Sequence, residues 1–289
     1  MTRVVARAPN HLGDGVMALP AMHALSSVGS LTIFAPAWGP DLYRDVKAEV
    51  VPRGFMGQAD VAVLFAPSMR AAWEGRRARR RIGTGTDFRR WLLTDVVAPD
   101  TSRARTYASL AERAGARCGE SPSYRLHPSD PEVEVPPDHI GFNPLSVSGA
   151  VREWPGFKEL AQGWAHPVVF YAGPGEAERL KASVGEEYDR LVGLALPDFA
   201  RALSRCRVFV SVDTGPAHFA RACGVPTVVV HGSTSPRGTG PDGAVAVEGP
   251  ELPCRPCYRQ TCAHNLECMD IPSAKVRAVI QDTLGVSCG

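Results

Sequence analysis

The sequence predicts an α/β protein built from two doubly wound domains, each a parallel sheet with helices on both faces. Strand-like and helix-like segments alternate through the first half of the 289 residues, and the same alternation restarts near residue 139. Between the halves, residues 127–138 hold four prolines and four acidic side chains without helical periodicity. We therefore predict domains at 1–128 and 139–272, a linker at 129–138, and a last helix at 273–289.

In the first half, a strand at 3–8 is followed by a glycine-punctuated turn, Asn10 to Gly15, and an apolar helix at 16–25. Pro20 predicts that this helix is kinked or begins near Leu19. Further segments of the first half are strands at 31–37 and 60–66 and an amphipathic helix at 102–116.

The second half repeats this order without a visible sequence repeat. We predict strands at 139–143, 167–172, 208–212 and 227–230, and helices at 154–165, 176–184, 197–206, 217–223 and 273–284, the last capped by Ser273. Ligands of open α/β sheets bind at the carboxyl ends of the strands, so the cleft between two such domains is the expected site.

Composition is that of a globular protein, and no apolar run reaches the length of a membrane span. Pro, Asn and Asp occur too early for a signal peptide, which predicts a cytoplasmic protein. Residues 1–128 hold 18 Lys and Arg against 11 Asp and Glu, whereas residues 129–289 hold 14 against 19. This asymmetry predicts different partners for the two halves.

The most informative stretch is 207–236, in which a buried strand runs into Asp213-Thr214-Gly215-Pro216 and then a short helix. Thr214 is a competent N-cap, and Pro216 suits the first turn of a helix. A helix that begins at the carboxyl end of a strand presents free N–H groups to an anion such as phosphate. Asp213 and His218 add titratable groups. The alternative is an ordinary βαβ turn in which Asp213 caps the helix.

Three other turns fall at predicted strand ends. The first places Asp14 between two glycines, where it is either an exposed general base or a helix cap. The second carries hydroxyl groups and Arg152, which is either a phosphate ligand or a solvated loop arginine. The third is a Gly-rich turn followed by Glu176 and Glu178, either of which could hold ribose hydroxyls.

These motifs together resemble glycosyltransferase family 9, the heptosyltransferases of lipopolysaccharide core synthesis. The resemblance is carried by NHLGDGVMALPAMHAL, FNPLSVSGAVREWP, FYAGPGEAE and SVDTGPAHFARACGVPTVVVHGSTSP, in that order along the chain. It covers nearly the whole sequence and is weakest at 40–100. Two positions depart from the family pattern: Leu145 replaces a glycine, and Arg152 replaces a lysine.

The resemblance implies a GT-B fold, with two Rossmann-like domains facing each other across a cleft, and an inverting, metal-independent sugar transfer without a catalytic cofactor. Asp14 matches the proposed base of the family. The resemblance implies donor contacts at the following positions: Ser148, Arg152, Glu178, Leu194, Asp213, Thr214, Gly215 and His218. The expected partners are a nucleotide-diphosphate sugar, with ADP-heptose favoured, and a glycan or glycolipid acceptor. The 1–128 domain would bind the acceptor and the 139–272 domain the donor.

Two functions of other classes compete with this interpretation. A nucleotide-sugar epimerase would use a similar two-domain scaffold but would convert the donor without an acceptor. A catalytically silent nucleotide-sugar-binding protein would bind the donor and transfer nothing.

Two further features stand outside the transferase motifs. Residues 73–81 hold five arginines after Trp73, which suits a phosphorylated lipid or an anionic membrane surface but equally a solvated basic face. The protein would then be peripheral at the inner face of the membrane. No nucleic-acid motif accompanies this run, so no nucleic acid is expected.

The second feature is a cysteine-rich loop at 254–268. The spacing of Cys254, Cys257, Cys262 and Cys268 indicates a structural zinc, two disulfides or four free thiols. A zinc held by four sulfurs would have no open coordination position, so its role would be structural.

Overall fold

A computed structural model describes residues 1–119, 122–127 and 129–285. The chain divides into two compact units, Met1–Tyr124 and Arg125–Gly289. Each unit has its own buried core and a single six-stranded parallel sheet. The α/β class with two doubly wound domains is therefore confirmed.

The sheet of the first unit has the order β3-β2-β1-β4-β5-β6. Its strands are β1 (Arg3–Arg7), β2 (Ser30–Ala35), β3 (Glu49–Pro52), β4 (Val61–Leu64), β5 (Arg80–Thr84) and β6 (Asp95–Val97). Its helices are α1 (Leu12–Met17), α2 (Leu19–Leu25), α3 (Gly39–Leu42), α4 (Met69–Glu74) and α5 (Arg103–Arg113), with a 3-10 helix at Arg89–Leu92. As predicted from Pro20, the helix after β1 is interrupted, and its second part begins at Leu19.

The second unit has the order β12-β11-β10-β7-β8-β9. Its strands are β7 (His139–Asn143), β8 (Val168–Ala172), β9 (Asp189–Val192), β10 (Cys206–Val212), β11 (Thr227–His231) and β12 (Val245–Glu248). Its helices are α6 (Phe157–Leu160), α7 (Ala177–Val184), α8 (Leu196–Leu203), α9 (Gly215–Ala222), α10 (Pro236–Thr239) and α11 (Ser273–Leu284), with 3-10 helices at Gly149–Val151 and Glu267–Met269.

The two sheets share one topology. In each unit, the first strand (β1 or β7) lies between the second strand (β2 or β8) and the fourth strand (β4 or β10). Pairing of β1 with β4 and of β7 with β10 therefore creates a switch point in each unit. Loops after these strands diverge to opposite faces and leave a crevice where ligands of doubly wound folds bind. The strands at the switch points are almost wholly buried, and β7 is buried at all five positions.

Two local predictions differ from the structure. The predicted helix at 154–165 is limited in the structure to α6, which has Gly156 at its N-cap position. Gly163 takes a positive φ of 73°, which suits a turn rather than a continuing helix. Ser273 is the first residue of α11 and not its cap; Pro272 holds the N-cap position. Residues 286–289 of the predicted last helix lie outside the described residues.

The segment predicted as a linker, 129–138, belongs to the second unit. The Arg201 guanidinium of α8 donates to the carbonyls of His127 and Asp130, each at 3.3 Å. Arg205 donates to the Val135 carbonyl at 3.4 Å. These bonds give the backbone oxygens of the proline-rich stretch partners on α8, in addition to the bond from the Asp130 amide to the His127 carbonyl.

None of the helices in the described residues combines the length and the apolar character that crossing a bilayer requires.

Candidate functional site

The predicted donor residues follow four adjacent strands of the second sheet. Ser148 and Arg152 follow β7, Glu178 follows β8, Leu194 follows β9, and 213–218 follows β10. Since β10, β7, β8 and β9 are neighbours in that order, all of these loops leave the same edge of the sheet. The switch point between β7 and β10 lies among them.

The N-terminus of α9 is open at this edge. Thr214 is its N-cap with an extended backbone, Pro216 lies in the first turn, and the Thr214 side chain makes no capping bond. Thr214 and Gly215 are only half-buried. Among the residues that the structure describes, their amides donate no hydrogen bond. Unpaired N–H groups at a helix start carry the positive end of the helix dipole, so this end can bind an anion.

Arg152 lies against the same helix start. Its Nη1 donates to the Asp213 carbonyl at 3.4 Å, which brings the guanidinium beside the first turn of α9. Its Nε is buried and has no hydrogen-bond partner within residues 1–119, 122–127 and 129–285. Because a buried N–H without an acceptor is costly, this atom points to an acceptor supplied by a ligand.

Asp213 was predicted to face the donor, but its side chain is buried. Asp213 is 3% exposed, accepts a hydrogen bond from the Thr239 hydroxyl at 2.7 Å, and lies 3.9 Å from His231 Nδ1. Burial lowers the pKa of His231, and the charge of Asp213 partly opposes this. The Asp213 carboxylate therefore links Thr239 of α10 to the end of β10. This contact fixes the position of the turn between β10 and α9.

The remaining predicted donor residues differ in exposure. Ser148 and Leu194 are half-buried at their loops, while His218 is buried on α9. The Glu176 carboxylate already has partners nearby in the chain, since it accepts a hydrogen bond from the Gly173 amide at 2.8 Å and pairs with Arg179. Glu178 is exposed and has no partner among the described residues, which favours it over Glu176 as the ribose ligand.

Sequence reasoning missed a network that ties the β7 loop to α7. Glu153 accepts from the Ser146 amide at 2.9 Å and pairs with Arg179, which also pairs with Glu176 at 2.7 Å. Ser146 and Glu153 come from one motif of the sequence analysis and Glu176 from another, and Arg179 directly follows the second motif. Only the pairing of β7 with β8 brings them together.

In the first unit, Asp14 lies on α1, directly after β1 and at the switch point with β4. Arg103 Nη1 contacts both carboxylate oxygens, at 2.9 and 3.2 Å, and the Tyr107 hydroxyl donates at 3.0 Å. Both partners lie on α5. The Asp14 side chain is 12% exposed, so it is held in place yet reachable from solvent.

Tyr107 keeps its proton well into the alkaline range. Burial raises the pKa of Tyr107 well above its usual value, and the charge of Asp14 raises it further. Burial, with the Asp14 charge adding to it, also raises the pKa of Tyr43, whose hydroxyl donates to the Gly15 carbonyl at 3.4 Å. Two neutral phenols and one guanidinium thus surround the Asp14 segment.

The glycines beside Asp14 do not form the tight turn that was predicted. Gly13 and Gly15 lie inside α1 and are buried. A β-carbon at Gly15 would lie 2.5 Å from the Trp38 ring, so close packing and not a turn requires glycine there. Asp14 is consequently presented by a helix, which is a more rigid support than a loop.

The four clustered cysteines lie in the loop after β12. Cys254 and Cys262 are exposed, Cys257 is half-buried and Cys268 is buried, and every described cysteine is a free thiol. Burial raises the pKa of the Cys268 thiol. Within 1–119, 122–127 and 129–285, however, no group of His, Cys, Asp or Glu side chains is arranged to hold a metal ion.

Known proteins resemble this chain in sequence and in fold. Lipopolysaccharide heptosyltransferase 1 of Pseudomonas aeruginosa is 37% identical over 123 residues, which are 39% of this chain and 34% of that relative. The match thus spans about a third of the length of the curated relative.

Two solved structures show the fold. The E. coli ADP-heptose lipopolysaccharide heptosyltransferase II superimposes with a TM-score of 0.76 at 21% identity and covers 98% of each chain. E. coli heptosyltransferase WaaC with ADP-2-deoxy-2-fluoro heptose gives 0.71 at 15% identity, with 97% of this chain and 99% of that chain covered. The GT-B fold expected from the sequence motifs is thereby confirmed.

The family model for glycosyltransferase family 9 (heptosyltransferase) matches residues 58–267, most of the chain. That interval contains the four donor-side loops described above, whereas Asp14 precedes it. The chain therefore belongs to glycosyltransferase family 9.

Proposed function

We propose that the protein is an inverting, metal-independent glycosyltransferase that moves a heptose from ADP-heptose to a lipopolysaccharide-core or related glycan acceptor. The observation that carries this proposal is a set of donors at one sheet edge that have no acceptor in the part of the chain that the structure describes: the Thr214 and Gly215 amides and Arg152 Nε. Family membership supports heptose as the sugar, and both solved relatives carry ADP-heptose or its fluoro analogue in their names.

The second unit would bind the donor. The diphosphate would accept hydrogen bonds from the start of α9 and from Arg152, with Ser148 as a further hydroxyl donor. Glu178 would bind the ribose hydroxyls, Leu194 would contact the base, and His218 would lie on the sugar side of the helix. Two amides, a helix dipole and a guanidinium can neutralise a leaving diphosphate without a divalent ion.

The first unit would bind the acceptor and supply the base. Asp14 would take the proton of the acceptor hydroxyl while that oxygen attacks the anomeric carbon. The bond from this carbon to the diphosphate oxygen breaks in the same displacement, so the configuration inverts. The nucleoside diphosphate leaves with the electron pair. Arg103 and Tyr107 would set the orientation of the carboxylate during this step.

Donor conversion with and without acceptor tests the proposal against its alternatives. The wild-type protein should consume ADP-heptose and release ADP only when a heptose-accepting core glycan is present, and EDTA should not slow it. Conversion of the donor without an acceptor would show an epimerase. Tight donor binding without turnover on any core acceptor would show a binding protein.

A structural zinc at Cys254, Cys257, Cys262 and Cys268 is a separate proposal, supported by the spacing of the four cysteines in the sequence. Protein purified without added metal should then contain one equivalent of zinc, and Cys257→Ser should lose it and melt at a lower temperature. Metal-free protein with an unchanged melting temperature would contradict this proposal.

A further inference from the structure

One face of the first unit combines exposed aromatic rings with unpaired arginines. Between Met69 and Leu92 the chain holds eight arginines and only two acidic residues. The rings of Phe55, Trp73, Phe88 and Trp91 are 62%, 49%, 92% and 70% exposed. We call this surface, together with Arg76, Arg77, Arg79 and Arg90, the aromatic–arginine face.

The segments that carry these residues pack on one buried cluster of the first unit. Met56, Ala72, Ala78 and Leu92 belong to this cluster, together with Val5 of β1 and Ala62 of β4. Phe55 and Met56 are adjacent in the chain, as are Trp73 and Ala72, and Trp91 and Leu92. Phe88 directly precedes the 3-10 helix, and Arg77 and Arg79 flank Ala78.

The arginines between Met69 and Leu92 have different contacts, which could not be distinguished from the sequence alone. Arg80 is paired with Asp95, and Arg81 donates to the carbonyls of Leu92 and Ala78, so both stabilise the unit. Arg76 stacks on the rings of both Phe55 (4.5 Å) and Trp73 (4.2 Å).

Three other arginines are available to a partner. Arg77, Arg79 and Arg90 are exposed and have no partner among the described residues. The acidic side chains nearest in sequence are occupied, since Glu74 pairs with Arg7 and Asp87 accepts from the Met69 amide.

The two most exposed rings, those of Phe88 and Trp91, lie on a segment whose backbone is fixed by hydrogen bonds. Asp87 and Phe88 both adopt left-handed backbone conformations, with φ of 58° and 53°, which is unfavourable for a bulky residue such as Phe88. The adjacent Arg89 is fully buried and donates to the Thr84 carbonyl (2.8 Å), the Thr84 hydroxyl (2.9 Å) and the Ala66 carbonyl (2.5 Å). Burial lowers the pKa of Arg89 to about 10, so the anchor stays charged at neutral pH. The exposed residues Phe88 and Trp91 thus flank a buried arginine, Arg89, whose hydrogen bonds fix the backbone of this segment.

We propose that the aromatic–arginine face docks on the anionic surface of a phospholipid bilayer. Aromatic rings insert at the level of the lipid headgroups, and arginines beside them pair with anionic phosphates. A protein partner would need a surface of matching shape, whereas a bilayer requires only exposed rings and excess positive charge on one face. The proposal goes beyond the sugar transfer, because docking requires neither donor nor acceptor.

Co-sedimentation of the full chain with vesicles tests this proposal without reference to catalysis. The protein should bind vesicles that contain phosphatidylglycerol, bind pure phosphatidylcholine vesicles at least about ten-fold more weakly, and dissociate as salt rises. Phe88→Ala with Trp91→Ala should weaken binding by about ten-fold or more, and Arg77→Glu with Arg79→Glu by a similar factor. The exposed pair Tyr258→Ala and Arg259→Ala of the second unit is the matched control and should leave binding unchanged.

Thermal melting distinguishes a lost surface from a lost fold, because all four substituted side chains are exposed and their removal should not lower the melting temperature. Absence of binding to the anionic vesicles, or binding that the two double variants do not change, would overturn the proposal. Binding to a single-stranded oligonucleotide but not to vesicles would assign the face to nucleic acid instead.

Discussion

The two units share a strand order but present opposite chemistry at their switch points. In the first unit, a carboxylate at this point already has hydrogen-bond partners, because Asp14 accepts from both Arg103 and Tyr107. In the second unit, the Thr214 and Gly215 amides and Arg152 Nε have no acceptor within the residues that the structure describes. The same topology thus places a hydrogen-bonded carboxylate in one unit and donors without acceptors in the other, as the proposed base and the proposed diphosphate site require.

The largest effect that would test this contrast is expected at Asp14. Asp14→Asn keeps the shape, and its one amide oxygen can still accept from Arg103 and Tyr107, but the side chain cannot take up a proton. Transfer should therefore fall by about 10³-fold or more. Affinity for ADP, measured by calorimetry, should stay within about two-fold. Asp41→Asn on α3 is the matched control and should transfer normally. Normal turnover of Asp14→Asn would remove this residue from the mechanism.

The next largest effect is expected from replacing Arg152. Arg152→Ala removes a charged donor from the anion site and should weaken ADP binding by about 10- to 100-fold. Arg152→Lys, the residue common in the family pattern, should recover most of the affinity because it keeps the charge. Adenosine, which has no phosphate, should bind the wild type and both variants equally. An equal loss of adenosine affinity would show that Arg152 supports the fold and not the diphosphate.

A smaller effect is expected from Tyr107. Tyr107→Phe removes one hydrogen bond to Asp14 and leaves the ring in place, so kcat should fall by about ten-fold with little change in KM for the donor. Tyr43→Phe is the matched control, since its hydroxyl contacts a backbone carbonyl and not Asp14. A kcat that stays at the wild-type value in Tyr107→Phe, or a loss that appears in KM for the donor instead, would contradict a positioning role.

The smallest effect concerns stability in the second unit. Burial keeps the folded-state pKa of His231 below its unfolded value, so the unfolded chain binds a proton more readily. The stability that the neutral imidazole contributes is therefore present above the unfolded pKa and declines as pH falls through and below it. His231→Gln should flatten the loss of the free energy of unfolding between about pH 7 and pH 5. Urea titrations of both proteins across this range measure the difference, and parallel pH profiles would contradict it.

Much of the fold could be predicted because strand and helix signals are local. Strand β7 was predicted with its observed bounds, and the helix after Asp213 was predicted to within two residues at its start. The four edge strands β3, β6, β9 and β12 were missed, because four or fewer residues with mixed burial carry little periodic signal. The inner strand β5 was missed as well, since it begins within the run of arginines.

The candidate site could be predicted only in part. Its motifs are contiguous in sequence, so Asp14, Arg152 and the start of α9 were found. The partners of these residues come from elsewhere in the chain. Arg103 and Tyr107 lie about 90 residues from Asp14, and Thr239 lies 26 residues from Asp213. Such contacts depend on how helices pack on the sheet, which a linear pattern does not encode.

The most direct test of the account follows the backbone amides of α9 while ADP is titrated in the presence of EDTA. The account predicts that the Thr214 and Gly215 amide resonances of the wild-type protein shift most strongly with ADP, do not shift with adenosine, and shift far less with ADP in Arg152→Ala. If ADP leaves these two amides unmoved, or binds only after a divalent cation is added, the metal-free anion site at α9 is contradicted.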